Sequence, residues 1–321
     1  MYTPDLLTMA DGTPVVSPAQ WETRRQELLH ILAREQYSTF LPQTTATARL
    51  LDPPTPTCAG HAMQETLDIR FASPSGEFSF PVRFLYPANG QPHPLFLLLN
   101  FRPLIPDTYC PAEEILDRGF ALAVLCYTDV TSDNADYRSG LCGHYPRENP
   151  ATDPGKLVFW AYAASRALDV LSLCPEVDAR NIAALEQTKH SGAEDYAAMA
   201  RVFPYWFCGS RSRYIDHPAL RPYDQHFLVG AIAPRFVALG SASLDHWADP
   251  YSQQLCCVAA SPAWTLHGLL GFGGSQAPFA VGSANLDGRI AYHLRDGLHY
   301  LSRQDWLFYM AFVERHKEDA A

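Results

Sequence analysis

The chain has 321 residues, and 47% of them are apolar, so it can bury a full hydrophobic core without metal ions or disulfide bridges. Its 34 acidic side chains outnumber its 24 lysines and arginines, which gives a formal net charge of −10. Nucleic acids and other polyanions are held mainly by surplus basic side chains, so this balance argues against nucleic acid as a partner.

Three further features of the sequence argue against other classes of protein. Eight cysteines are scattered without a C-x-x-C pair, a pattern that indicates reduced, mostly buried thiols. The histidines show neither H-x-x-x-H nor H-E-x-x-H spacing, so we predict no metal site and no cofactor. Residues 1–16 lack the basic start and apolar region of a signal peptide, and no apolar run approaches the roughly 18 residues that span a bilayer. We therefore expect a cytoplasmic protein with no membrane partner.

The N-terminal region predicts a helical arm. Ser17 and Pro18 supply an N-cap and a first-turn proline, and apolar residues follow at helical spacing. The segment 51–62 holds three prolines that interrupt any regular structure, which makes it a candidate boundary. We therefore divide the chain into an arm, residues 1–62, packed on a main α/β domain, residues 63–321.

The next elements predict the centre of a sheet. Alternating apolar residues over 66–72 and 78–86, separated by Ser-Pro-Ser-Gly, are typical of an antiparallel hairpin. The runs 95–101 and 120–126 are apolar on both faces, as expected of strands covered by helices on each side. A helix predicted over 112–118 joins these two runs, so they should lie parallel.

The second half of the chain continues the alternation of helix and strand. A long amphipathic helix is predicted over 156–173, followed by a short strand over 181–185. Two later strands, over 235–240 and 289–294, precede a closing helix over 303–316. The sequence therefore predicts a three-layer α/β/α sandwich with a mostly parallel sheet and an antiparallel start.

Two strand ends carry candidate catalytic residues. Asp245 lies about five residues past the strand over 235–240, and His299 lies about the same distance past the strand over 289–294. A late Asp followed by a His is the order in which α/β-hydrolases place the acid and base of a serine triad. The alternative is that Asp245 caps the helix beginning near Pro250 and that His299 only packs. The fold is therefore expected to be α/β-hydrolase-like.

The expected nucleophile motif is not found. An elbow serine needs G-x-S-x-G directly after a central strand, and no glycine of the chain lies in such a motif. Ser191 lies six residues past the strand over 181–185, with Lys189 rather than a small residue two positions before it. Ser275 follows no predicted strand and is a weaker candidate. Ser191, next to His190, is therefore the candidate for a displaced nucleophile.

Longer blocks of sequence carry a family resemblance. They are 118–121 (RGFA), 161–177 (around SRALD), 203–208 (FPYWFC), 224–226 (DQH), 232–235 (IAPR), 245–250 (DHWADP), 297–299 (GLH) and 305–306 (DW). In these blocks the chain resembles the bacterial glucuronoyl esterase and acetyl-xylan-esterase-like group of α/β-hydrolases. The resemblance runs over nearly the whole chain, from Trp21 to His316.

The resemblance implies a substrate and roles for several residues. The family cleaves carboxylic esters on plant cell-wall glycans, so a small-molecule or oligosaccharide ester is the expected substrate. His299 matches the family's base, and Asp245 matches its acid. Trp247 lies where the family has an aromatic residue that packs on the sugar, although a core tryptophan is an equal alternative. His226, in the DQH block, is a second candidate for substrate binding.

The chain departs from the family pattern where the nucleophile should be. The resemblance implies a G-x-S-R-x-G-K elbow, a helix and a further central strand, together about 30 to 45 residues, between 181–185 and 192–208. Here only residues 186–191 join these two blocks. We expect impaired or absent catalysis. In the truncated sheet, the helix over 194–203 could fill the gap or a second copy of the chain in a homo-oligomer could cover it. A damaged coding sequence is the third explanation. The alternatives are an active esterase that uses Ser191 and a non-catalytic glycan-binding or interaction protein.

Overall fold

The computed structural model of the chain describes residues 4–186 and 196–320. Its strands, in chain order, are β1 (Ala46–Thr57), β2 (Ala62–Ser73), β3 (Gly76–Pro87), β4 (His93–Asn100), β5 (Ala121–Cys126), β6 (Val177–Glu186), β7 (Val237–Ala242), β8 (Ala284–Asn285) and β9 (Ile290–Arg295). Its α-helices are α1 (Pro18–Leu32), α2 (Ala112–Asp117), α3 (Tyr127–Val130), α4 (Lys156–Leu171), α5 (Tyr196–Val202), α6 (His226–Gly230), α7 (Pro250–Ala260), α8 (Pro262–Thr265) and α9 (Arg303–His316). None of the described helices is both long enough and apolar enough to cross a membrane.

The strands form two sheets. The larger has the order β1-β2-β3-β5-β4-β6, and the smaller has the order β7-β9-β8. Strands β1, β2 and β3 are antiparallel, whereas β4 lies parallel to both β5 and β6 and β7 lies parallel to β9. The α/β fold with a mostly parallel centre and an antiparallel start is thereby confirmed.

Alternate residues of β4 and β5 face different helices. Leu95 and Leu97 belong to the core on the side of α4, whereas Phe96 and Leu98 pack with residues of α2 and α9 on the opposite side. Successive side chains of a strand point to opposite faces, so a strand buried on both sides reads as a continuous apolar run. The apolar run 95–99 therefore places the centre of the sheet between two helical layers.

The predicted hairpin is confirmed, with longer strands than the sequence pattern indicates. Strands β2 and β3 pair from Ala62 with Pro87 to Ser73 with Gly76. Only Pro74 and Ser75 lie between them, and Gly76 has a φ of +118°, a conformation that disfavours side chains. The β2 strand of this long hairpin pairs with β1, the edge strand of the larger sheet.

The prediction that prolines interrupt regular structure over 51–62 is wrong. Strand β1 runs through this region and pairs with β2, with shifts of register between Leu50 and Asp52 and between Asp52 and Thr55. A proline has no N–H for the ladder, but an edge strand needs partners on one side only, and bulges accommodate the rest. Since β1 is the outermost strand, the sheet extends into the predicted N-terminal arm.

Helix α1 begins as predicted. The side chain of Ser17 accepts a hydrogen bond from the backbone N–H of Gln20, which caps the first turn. Trp21 and Leu28 enter a core that also contains Phe227 of α6, and Arg24 is buried with its Nε donating to a backbone carbonyl. The arm therefore packs on the second half of the chain, around the smaller sheet.

The two sheets are not joined by hydrogen bonds among the described residues. Strand β6 pairs with β4 on one side, and β7 pairs with β9 on one side. The described chain between them, residues 196–236, contains helices and turns but no strand. The outer edges of β6 and β7, which we call the sheet margins, are thus each without a strand partner among the described residues.

Candidate active site

Asp245 and His299 are brought together at the end of the smaller sheet. The Asp245 Oδ2 and His299 Nδ1 atoms are 2.5 Å apart, and Asp245 is 8% exposed. A carboxylate can only accept, so Nδ1 carries the proton and donates it. The predicted acid and base are therefore a hydrogen-bonded pair, which we call the dyad.

Backbone hydrogen bonds hold together the two loops that carry the dyad. The N–H of Ser243 donates to the carbonyl of Arg295 at 2.8 Å, and the N–H of Leu244 donates to the carbonyl of Gly297 at 2.9 Å. The Ser243 hydroxyl also donates to Asp296 Oδ1 at 2.7 Å. These bonds continue the parallel pairing of β7 and β9 past the strand ends, so the two loops are placed as one unit.

The loop of His299 depends on a glycine. Gly297 has a φ of +111°, and a Cβ added there would lie 3.0 Å from Nη1 of Arg295. Both the backbone conformation and the close approach of the guanidinium favour glycine. The glycine two residues before His299 is thus favoured by the local backbone conformation and by the packing of Arg295.

The acid of the dyad is oriented by its own turn. Asp245 Oδ1 accepts a hydrogen bond from the N–H of Ala248 at 3.3 Å, while Oδ2 accepts from His299. Oδ1 therefore accepts a hydrogen bond within the turn, and Oδ2 accepts one from the imidazole. Such a carboxylate fixes the tautomer of the histidine and stabilises the imidazolium that forms when Nε2 takes a proton.

A buried network of hydrogen-bonded and ionic side chains holds the end of β9, the strand that leads into the loop of His299. Asp305, at the start of α9, accepts from His293 Nε2 at 2.7 Å through Oδ1 and from Arg295 Nε at 2.8 Å through Oδ2. Burial alone would raise the pKa of Asp305, but the hydrogen bonds from His293 and from the Ser302 N–H, with the charge of Arg295, hold it below its ordinary value. Asp305 is therefore a buried carboxylate that pairs with the charged Arg295 and accepts a hydrogen bond from His293.

Arg295 connects this network to the loop of the base. Its guanidinium donates to the carbonyls of Asp296 at 2.9 Å and Leu298 at 3.0 Å, and also to that of Tyr300. These carbonyls flank His299 on both sides. Arg295 therefore holds the backbone that presents the imidazole, although sequence reasoning assigned it no role.

A second loop that sequence reasoning missed follows the central strand β4. In α/β-hydrolases one oxyanion donor is an N–H of the loop that leads from this strand to the next helix. Here Asn100 Nδ2 and the N–H of Tyr109 both donate to Asp107, and the indole of Trp306 donates to the Tyr109 carbonyl at 2.7 Å. The rule that ligands collect at the carboxyl ends of parallel strands was the available signal.

Aromatic and cationic side chains connect this loop to the dyad. The guanidinium of Arg102 lies 4.6 Å from the centroid of the Tyr109 ring. The Tyr109 ring lies 6.4 Å from that of Tyr300, which directly follows His299. An exposed arginine thus lies on the side of the site formed by the end of β4, where it can contact an anionic or strongly polar ligand.

Of the two predicted nucleophiles, the structure describes only Ser275. Ser191 lies outside the described residues, as do Lys189 and His190, so its candidacy stays a prediction. Ser275 lies in an exposed turn, where its hydroxyl accepts from the N–H of Ala277 at 3.1 Å. That hydrogen bond gives Ser275 a local role in the turn.

The two predicted substrate-binding residues are both buried. Trp247 is 9% exposed and belongs to the core that includes α4, so it offers little open surface to a sugar. His226 is 4% exposed, and its Nε2 donates to the carbonyl of Pro4 at 3.0 Å. Burial lowers the pKa of His226. This environment favours the packing alternative for Trp247 and a structural role for His226.

The cysteines are free thiols, and five of the eight are buried. Among residues 4–186 and 196–320, no group of three or more His, Cys, Asp or Glu side chains has the arrangement of a metal site.

Comparisons with known proteins show which proteins the chain is similar to. No protein-family model matches the chain. Carbohydrate esterase MZ0003, from an unknown prokaryotic organism, is 24% identical over 99% of this chain and 90% of its own length. The 4-O-methyl-glucuronoyl methylesterase of Phanerochaete carnosa is 24% identical over 83% of this chain and 72% of its own length.

Solved structures show the same fold. A promiscuous CE15 esterase from a marine bacterial metagenome superposes with a TM-score of 0.86 at 22% identity, covering 98% of this chain and 97% of its own. The alignment with MZ0003 runs over 392 residues, more than the 321 of this chain, so that relative carries segments without a counterpart here. In sequence this chain is therefore similar to carbohydrate esterase MZ0003 and to a 4-O-methyl-glucuronoyl methylesterase, and in fold it is similar to a CE15 esterase.

Proposed function

We propose that this chain acts on carboxylic esters of glucuronate-type sugars and hydrolyses them much more slowly than an α/β-hydrolase with a complete triad. The observation that carries the proposal is the dyad, in which His299 donates to Asp245 at 2.5 Å from loops joined by backbone hydrogen bonds. An imidazole held in this way can take a proton from an alcohol or a water molecule. The names of the relatives supply the substrate class.

Two observations support slow turnover. The sequence has no G-x-S-x-G after β6, and β6 and β7 each lack a strand partner on one side among the described residues. In α/β-hydrolases the elbow after the central strand supplies both the nucleophile and an oxyanion N–H. In subtilisin, loss of the serine alone costs about as much as loss of the whole triad. A general base without a well-placed serine is left to activate water, which is a weaker nucleophile at neutral pH.

The test is hydrolysis of the methyl ester of 4-O-methyl-glucuronate, which is measured by the release of methanol. Wild type is compared with His299→Ala and Ser191→Ala, and Ser275→Ala serves as the matched serine control. We expect slow turnover that His299→Ala abolishes and that both serine variants retain. Loss of turnover in Ser191→Ala alone would establish a displaced nucleophile. Turnover equal to the uncatalysed rate in wild type would contradict ester hydrolysis.

Glycan binding without catalysis is the other outcome of this experiment. Saturable binding of the acid, 4-O-methyl-glucuronate, by a protein without turnover would favour a binding module. The burial of Trp247 does not support a binding surface centred on that residue. An anion contact at Arg102, on the side of the site formed by the end of β4, fits a uronate better.

The predicted homo-oligomer also remains a proposal. Ala184 of β6 is exposed, and Val237 to Gly240 of β7 are half-buried, although strands in the middle of an α/β sheet are normally covered. A second copy that covers this margin would make the chain dimeric in solution. Light scattering after size-exclusion chromatography checks this proposal, and a monomer at micromolar concentration would refute it.

A further inference from the structure

A buried lysine and a buried cysteine meet far along the chain from the dyad residues. Lys156, the first residue of α4, is 0% exposed, and Cys142 is 2% exposed. The Lys156 Nζ atom lies 3.2 Å from Cys142 Sγ and 2.9 Å from Thr131 Oγ1. The same hydroxyl lies 2.9 Å from Sγ, so an amine, a thiol and a hydroxyl contact one another away from solvent.

The amine forms no ion pair within 4.0 Å with a described residue, although its charge helps to lower the pKa of Asp136. Among the described residues no carboxylate lies within 4.0 Å of Lys156 Nζ, and its acceptors are Thr131, Ser132, Cys142 and the carbonyl of Asp136. A buried lysine is normally paired with a carboxylate because an isolated charge is costly to bury. The environment of Lys156 is thus unusual for a purely structural lysine.

The thiol is held in place by tightly packed backbone. A Cβ added at Gly140 would lie 2.6 Å from the carbonyl oxygen of Val130, and one added at Gly143 would lie 2.4 Å from that of Arg138. Both glycines are needed for the close contact of the turn that contains Cys142. The short distance between sulfur and nitrogen is therefore built into the turn and the start of α4.

We propose that Cys142 and Lys156 form a redox modification site, in which a hydroperoxide produces a covalent bond between Sγ and Nζ. In the first step the thiol attacks hydrogen peroxide, which breaks the O–O bond and gives a sulfenic acid and water. In the second step the lone pair of the Lys156 amine attacks the sulfur, and hydroxide leaves with one amine proton as water. One thiol, one amine and one peroxide thus give one sulfenamide and two water molecules.

The geometry favours this second step over further oxidation. A sulfenic acid can condense with a thiol to a disulfide or with a backbone nitrogen to a sulfenamide, and further oxidation gives sulfinic acid. The Lys156 amine would take the place of the backbone nitrogen. Lys156 Nζ is already in contact with the sulfur, and the four-carbon side chain can close the remaining distance by small rotations. The bond would tie the turn at Cys142 to the first turn of α4 and would be reversed by thiol reductants.

The chain is well suited to a peptide-mapping test. Trypsin cleaves after Arg138, Arg147, Lys156 and Arg166, so Cys142 and Lys156 fall in different peptides. The peptide 139–147 contains one cysteine, and 148–166 contains none, so a bond between them cannot be a disulfide. Modification of Lys156 also blocks cleavage after it.

The whole protein is treated with hydrogen peroxide, alkylated, digested and analysed by mass spectrometry. We expect 139–147 joined to 148–166, with a mass two hydrogen atoms below the sum of the two peptides, and separation on treatment with dithiothreitol. Cys174, a half-buried thiol that donates to the carbonyl of Val170, is the internal control and should be alkylated or oxidised singly. Peptide 139–147 found alone, carrying two or three oxygens and with normal cleavage after Lys156, would overturn the proposal.

Two variants sharpen the result. Lys156→Arg keeps a cation but lacks the nucleophilic amine, and Cys142→Ser lacks the sulfur. Both should lose the joined peptide completely. Since the decisive measurement is made on wild type, failure of a variant to fold would leave the conclusion intact. Joined peptides of any type in Cys142→Ser would contradict the assignment.

Discussion

Strands β4 and β5 differ in the structure from strands β6 and β7, although residues 182–185 of β6 and 237–239 of β7 are also apolar in sequence. Every residue of β5 is buried, whereas Ala184 of β6 is exposed and the first four residues of β7 are half-buried. Strands β4 and β5 have hydrogen-bonded neighbours on both sides and helices on both faces. An apolar run therefore becomes a core strand only where the rest of the chain supplies its neighbours.

The two regions also differ in what fixes them. The centre of the larger sheet is held by apolar burial, whereas the strand end of β9 is held by the buried network of Asp305, Arg295 and His293. The dyad lies on the smaller sheet and therefore depends on the polar network. The remaining predictions test this division.

The largest effect is expected from Asp305→Ala. Removal of the carboxylate leaves Arg295 and His293 buried without their partner, which costs about 3–5 kcal/mol of unfolding free energy. Hydrogen exchange should show faster opening of β9 than of β5. Glu314→Ala breaks the half-exposed pair with Arg118 and is the matched control, with an expected loss of at most about 1 kcal/mol. Equal losses in the two variants would mean that the network does not hold the smaller sheet.

A pair of leucine truncations compares the two regions directly. Leu98 of β4 is 0% exposed, whereas Leu239 of β7 is half-buried. Leu98→Ala removes fully buried methyl groups and should cost about 3–4 kcal/mol, while Leu239→Ala should cost about 1–2 kcal/mol because part of its surface is already in water. Urea unfolding measures both. A cost at Leu239 equal to that at Leu98 would show that the margin is fully covered in solution.

The sequence allowed much of the fold and the dyad to be predicted because the signals were local. The continuous apolar run of β4 and the Ser-Pro-Ser-Gly turn of the hairpin each depend on neighbouring residues. Asp245 and His299 were found because they follow strand ends in a recognisable order.

Contacts that arise only after folding were not predicted. The partners of Asp305 lie on another element, and no spacing in the sequence announces that His293 and Arg295 will face it. The prolines of β1 indicated a break because an edge strand with bulges cannot be distinguished from a loop by local pattern. The contact between Cys142 and Lys156 likewise depends on how the turn packs on α4.

A smaller effect is expected from Gly297→Ala. The positive φ and the approach to Arg295 should together cost about 1–3 kcal/mol and displace the loop of His299. Gly282→Ala is the matched control, because Gly282 also has a positive φ but its added Cβ would meet no atom within 4 Å. The Hε1 resonance of His299, followed by NMR, should shift in the first variant and stay in place in the second. An unchanged resonance in Gly297→Ala would show that the loop does not depend on the glycine.

The smallest effect is the acid dependence of stability that Asp305 produces. Its folded pKa lies below the ordinary carboxyl value of about 3.9, so its contribution is fully present above that value. As the pH falls, the unfolded chain takes up the proton first, and the contribution is lost as the pH passes through the folded pKa. Urea midpoints measured from about pH 7 to about pH 3 should fall less steeply in Asp305→Asn than in wild type, and only in the acid part of the range. If the two acid slopes were equal, the pKa of Asp305 would be the same in the folded and unfolded chains, and the ionic contacts of its carboxylate would add nothing to the stability of the smaller sheet.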